Sequence, residues 1–111
     1  MRIRSKVWLE QKGELCFGAG RARILRAVKE TGSLNKAAQE LGMSYRHAWS
    51  SIRATEERLG RPLLIRQKGG RHGGGAKLTG FAGKLLLRYE TLEKDVRTFV
   101  NERFREIFGR K

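Results

Sequence analysis

The residues whose types and spacing could do chemistry cluster between Ser44 and Arg53, in the stretch SYRHAWSSIR. On a helix, Tyr45, Arg46, Ser50 and Arg53 share an outward side, with His47 and Ser51 nearby, and no acid interrupts them before Glu56. These side chains suit the edges of base pairs. An arginine fork matches guanine O6 and N7, serine and histidine supply single hydrogen bonds, and tyrosine meets a thymine methyl or a phosphate. A solvated amphipathic helix with ordinary surface charge carries some of the same residues, so the flanking segments decide between the two.

A second cluster follows in QKGGRHGGG, Gln67 to Gly75, where five of the last seven residues are glycine. A nucleotide-cradling loop needs Gly-Lys-Ser/Thr together and leads into a helix. Here Gly75 is followed by Ala76, Lys77 and Leu78, and strand-like Leu63-Leu64-Ile65 precedes the loop. The stretch therefore predicts a basic β-ribbon, or wing, over 63–79. Lys68, Arg71, His72 and Lys77 on it suit a minor groove or flanking phosphates.

Catalytic arrangements are missing from the sequence. His47 and His72 are the only histidines, and Cys16 is the only cysteine, so no metal site and no internal disulfide are expected. Cys16, between Leu15 and Phe17, reads as a buried, inert thiol. Glu56 and Glu57 are adjacent on a helix and point about 100° apart, which is no catalytic pair. The sequence predicts no enzyme and no cofactor.

Charge points to a polyanionic partner. The 111 residues carry 25 Lys plus Arg against 11 Asp plus Glu, a net charge of +14. Arg61 to Tyr89 holds seven bases and no acid, whereas Glu90 to Lys111 holds five acids against six bases. The length allows one domain with a modest core. No apolar run is long enough to cross a membrane, and MRIRSKVWLE lacks a signal-peptide core, so a cytoplasmic protein is expected.

The elements that must position these residues can be read in order. Residues 2–17 predict a β-hairpin: Ile3, Val7 and Leu9 alternate with Arg2, Arg4, Lys6 and Trp8, Gln11 to Glu14 make a turn, and Leu15-Cys16-Phe17 returns. Trp8 reads as a packing residue. Arg21 to Glu30 is a helix built on Ile24, Leu25 and Val28, stopped by Thr31-Gly32. Ser33 is an N-cap, and Leu34, Ala37, Ala38 and Leu41 form the stripe of a short helix that turns at Gly42. Ser44 caps the next helix, whose inward face is Ala48, Ile52, Thr55 and Leu59 and whose stop is Gly60.

The helix-turn-helix thus spans 33–59. Ser33, Asn35, Lys36 and Ser44, at its helix starts, join Tyr45, Arg46, His47, Ser50 and Arg53 as expected DNA contacts. Thr79 caps an unbroken helix over 80–108, roughly 40 Å long. Leu85, Tyr89, Leu92, Val96, Phe99, Val100, Phe104 and Ile107 give it an apolar face near heptad spacing for three turns. A domain of this size cannot bury that face, so a homodimer is expected. The alternative is a helix that folds back at Asn101. The fold class is mainly α with small β: a winged helix-turn-helix over 1–79, with an N-terminal β-hairpin and a long C-terminal dimerisation helix.

These residues resemble a known family. GSLNKAAQELGMS and IRATEERLG are similar to the winged helix-turn-helix shared by LysR-type and ModE-type bacterial regulators. SYRHAWSSI resembles the ModE recognition pattern S-Y-x-x-A-W-x-x-I, and GGRHGGGAKLT resembles the ModE wing. The similarity runs over roughly residues 18 to 100. It implies a homodimeric transcription factor in which Ser44 to His47 open the recognition helix, Ala48 and Trp49 pack, and Lys68 to Gly75 form the wing. ModE-type regulators usually carry a further molybdate-binding region, and LysR-type proteins a large effector domain. In 111 residues there is room for neither, so direct molybdate binding is not expected and a separate sensor protein is a candidate partner. Two alternatives fit the same charge: a non-specific nucleoid-associated or architectural nucleic-acid binder, and an interaction module that uses the long helix to join a sensor.

Overall fold

Left-handed glycines and hydroxyl caps divide the chain into its helices. The computed structural model describes residues 1–67 and 75–109. Their order is β1 (Trp8–Gln11), β2 (Glu14–Gly18), α1 (Ala19–Thr31), α2 (Leu34–Glu40), α3 (Tyr45–Leu59), β3 (Leu64–Gln67), β4 (Gly75–Leu78) and α4 (Gly80–Phe108). Gly32 and Gly60 end α1 and α3 at φ 75° and 69°, a region that side chains disfavour. The Ser33, Ser44 and Thr79 hydroxyls accept from the backbone N–H of Lys36, His47 and Ala82. Each such cap is worth about 1 kcal/mol.

The N-terminal hairpin is shorter than the alternation predicts. β1 begins only at Trp8, which pairs with Gly18 at the far end of β2. Beyond Gly18 the chain turns directly into α1, so residues 2–7 have no strand left to pair with. For the same reason α1 starts at Ala19, two residues before the expected Arg21, with extended Gly18 as its N-cap. Lys12 and Gly13, both at positive φ, make the tight turn between the strands.

The core gathers around α1. Phe17, Ile24, Leu25, Val28, Leu63 and Leu86 are fully or almost fully buried. Ala37 and Ala38 on α2 face Ala48 and Ile52 on α3, all buried, so the two helices approach closely. Thr55 is a buried polar side chain of α3, and its hydroxyl donates to the Cys16 carbonyl at 2.5 Å. Cys16 itself is a buried free thiol.

β3 and β4 are fastened to the helices at their base. The Glu56 carboxylate accepts from Leu63 N–H at 2.8 Å, Thr79 N–H donates to the Leu63 carbonyl at 2.9 Å, and Ala76 N–H donates to the Gly32 carbonyl at 2.9 Å. A Cβ at Gly75 would come within 2.9 Å of that same Gly32 oxygen, so this position requires glycine.

Only the first third of α4 joins the domain. Ala82, Leu86 and Tyr89 are its buried residues. The Tyr89 ring meets Phe17 edge-on at 5.3 Å, and its hydroxyl donates to the Val7 carbonyl at 2.7 Å. Arg26 pairs with Glu90 across α1 and α4. The helix continues unbroken past Asn101, with no fold-back, and stretches the molecule to 61 Å.

Candidate nucleic-acid interface

α3 is anchored along one side and open along the other. Ala48, Ile52 and Thr55 are buried, and Leu59 packs at the core margin. Arg46, Ser50 and Arg53 project on the opposite side and are exposed. This arrangement follows from the spacing: at about 100° per residue, positions 48, 52, 55 and 59 stack on one stripe, and 46, 50 and 53 fall on the reverse.

The exposed side chains differ in what they already hold. Arg46 has no ion-pair partner among the described residues. Arg53 lies within 3.4 Å of Glu56 and 3.5 Å of Glu57, with its guanidinium over the Trp49 ring at 5.6 Å. Tyr45 accepts a hydrogen bond from Arg66 on β3 at 2.9 Å. The Ser33 and Ser44 hydroxyls are used as caps, and Asn35 and Lys36 are exposed on the first turn of α2. Lys77 is exposed on β4, beside the ribbon. Lys68, Arg71 and His72 lie outside the described residues.

Two side chains have roles that their sequence context hid. Glu56 looks like a surface charge, yet its carboxylate holds the entry of β3 through Leu63 N–H. Arg66 links β3 to the first turn of α3, and only its place beside a basic loop hinted at this. Trp49, expected in packing, is partly exposed over a shallow pocket of about 320 Å³ shared with Leu34 and Leu64.

The expected pairing face of α4 divides in two. Tyr89 is 4% exposed and spent inside the domain, so it is not on that face, and Leu85 packs at the core margin. Tyr89 contacts its own hairpin through the Phe17 ring on β2. Leu92, Phe99 and Ile107 are open to solvent, Phe99 at 63% and Ile107 at 60%, with Val96, Val100 and Phe104 half-buried between them. Phe108 is also exposed and stacks near Phe104, ring centres 5.1 Å apart. Among the described residues no helix is long and apolar enough to cross a membrane.

A capped short helix, a close turn, a second helix with an open polar face and a β-ribbon tied to its side define a DNA-binding winged helix-turn-helix domain. Residues 20–82 match the bacterial regulatory helix-turn-helix proteins of the lysR family, and the chain belongs to that family of regulators.

It is similar to the transcriptional regulator ModE of Haemophilus influenzae, 42% identical over 74 residues that cover 67% of this chain and 29% of ModE. It is also similar to the molybdenum-pterin-binding protein MopB of Rhodobacter capsulatus, 40% identical over 90 residues covering 81% of this chain and 33% of MopB. The chain spans about a third of the length of these relatives. Among solved structures, it resembles the BenM DNA-binding domain in complex with catB site 1 DNA, with TM-score 0.62, 27% identity and coverage of 83% of this chain and 97% of that one. The CbnR DNA-binding domain in complex with DNA follows at TM-score 0.57 and 27% identity, covering 76% and 92%. The domain is therefore ModE-like and LysR-like in sequence and LysR-like in fold.

Proposed function

We propose that this chain is a sequence-specific transcriptional regulator that binds duplex DNA as a homodimer. The first turns of α3 enter the major groove. The observation that carries this reading is the division of α3: Ala48, Ile52 and Thr55 fix the helix rigidly, while Arg46 and Ser50 stand clear on the other side. A rigidly held helix with an exposed arginine near its N-terminus suits guanine recognition. Its solved neighbours include DNA complexes, and its relatives include named transcriptional regulators, which supports the same reading.

The ribbon that carries Lys68, Arg71, His72 and Lys77 serves as the wing, on phosphates or a minor groove. The open apolar face of α4 supports pairing with a second copy, because Leu92, Phe99 and Ile107 find no cover among the described residues. Two copies would then present two α3 helices to half-sites about 34 Å apart, or a multiple of that distance. Molybdenum names belong to relatives about three times longer than the matched stretch, and DNA binding alone is proposed for these residues.

Selection from a pool of random duplexes tests the reading. A sharp, two-fold symmetric motif is the expected result. A flat profile with steep salt dependence would replace it with non-specific architectural binding.

A further inference from the structure

We infer that the N-terminal segment Met1–Lys6, with the groove behind it, is a second contact to the DNA sugar–phosphate backbone, at the edge of the recognition helix away from the wing. The inference rests on the proposed placement of α3 in a major groove.

The two edges of α3 are distinct. Tyr45 and Trp49 border β3. His47 and Ser51 border a groove of about 600 Å³ that runs between the N-terminal segment and the start of α1. Trp49 and Ser51 lie about 200° apart around the helix axis when measured across the open Arg46–Ser50 face. A duplex that receives this face has a backbone along each edge of its major groove. One backbone falls to the wing, and the other falls to the groove beside His47.

That groove is rimmed by cations. Lys6, Arg21 and Arg23 line it, and Arg2 and Arg4 extend from it on the exposed stretch before β1. Among the described residues none of these five cations has an acid within ion-pair distance. Arg26, Arg53, Arg58, Arg97 and Arg103 all do. The nearest acids in sequence are already engaged: Glu10 accepts from the Trp8 indole N–H, and Glu14 pairs with Arg58. Burial and the neighbouring Arg58 hold the Arg21 guanidinium below its ordinary pKa, as expected for a cation short of counter-charge.

The segment also has the right form. Arg2, Arg4 and Lys6 recur at every second residue, a spacing that sets three charges along one side, about 6.6 Å apart, where the chain extends along a backbone. Its backbone is not used in the β1–β2 ladder, which begins at Trp8. A basic N-terminal arm beside a major-groove helix has a precedent in homeodomains, where the arm reaches the adjacent groove. Contacts of this kind add affinity without sequence preference.

The test uses the full chain and its selected duplex. Affinity is measured across a salt series for wild type, Arg4→Gln/Lys6→Gln and, as an equal-charge control on the far part of α4, Lys94→Gln/Arg105→Gln. The arm variant is expected to lower the slope of log K against log salt by up to about 1.8 per protomer, at about 0.9 for each phosphate no longer neutralised. Its selected motif and thermal midpoint should match wild type. An arm variant with wild-type slope and affinity overturns the inference, as does a control that weakens as much. If Arg46→Ala weakens binding while the arm variant does not, the arm's role falls and α3 recognition stands. Failure of the wild type to bind any duplex would remove both.

Discussion

Arg66 donates a hydrogen bond to the Tyr45 hydroxyl at 2.9 Å and so joins β3 to the first turn of α3. Both residues are exposed, so the bond contributes little to folding. Its consequence is positional, because the β3–β4 ribbon and the N-terminal end of α3 are held in one frame.

Tyr45→Phe should therefore leave stability within about 1 kcal/mol of wild type. It should weaken DNA binding by a few-fold. Arg66→Ala removes the same link together with a cation and should weaken binding more. In a double-mutant cycle measured by binding, the two effects should be less than additive, and strict additivity would show that the bond does not operate on DNA.

Arg46 and Arg53 share the outer side of α3 but not the same freedom. Arg46→Ala should cost about 1–3 kcal/mol of specific binding. Arg53 is already held by Glu56, Glu57 and Trp49, so Arg53→Ala should cost less. Binding isotherms on one duplex compare the two directly, and a larger effect for Arg53 would reverse their roles.

The difference between these arginines was not legible from spacing alone. Helix periodicity places both outward, and only the folded rotamers show which one is engaged. The caps were legible, because Ser33, Ser44 and Thr79 act through bonds to residues three positions on. The inward stripe of α3 was legible for the same local reason. Residues 2–7 misled because alternation describes a strand's faces but not the length of its partner, and β2 ends at Gly18. Tyr89 fits the heptad of α4, yet its ring is used by Phe17, 72 positions earlier in the chain. Glu56 acts across only seven positions, through Leu63, but its tie depends on the turn after α3 rather than on helix spacing.

Tyr89 gives a pH prediction. Burial, reinforced by Glu93, pushes its phenol above its ordinary value near 10. The unfolded chain therefore loses this proton first as pH rises. The contribution of the neutral phenol is fully present below about pH 10 and declines above it, through the interval up to the raised folded value. Tyr89→Phe should destabilise by about 1 kcal/mol at neutral pH, because the bond to Val7 is removed. The gap to wild type should shrink above pH 10, as read by denaturant melts at several pH values. A gap independent of pH would show that this hydroxyl is not the coupled group.

The open face of α4 predicts a separable dimer. Phe99→Asp places a charge in the expected pairing seam without touching the core of the domain. Sedimentation should show a dimer for wild type and a monomer for the variant, with the helix-turn-helix still folded by circular dichroism. A wild-type monomer at micromolar concentration would remove the pairing role of this helix.

Base-pair reading by α3, as proposed, turns on Arg46. Selection from random duplexes, run in parallel on wild type and Arg46→Ala, tests this most directly. The expected result is a two-fold symmetric motif for wild type and, for the variant, no remaining preference at one base pair in each half-site. Identical motifs from the two proteins would contradict it.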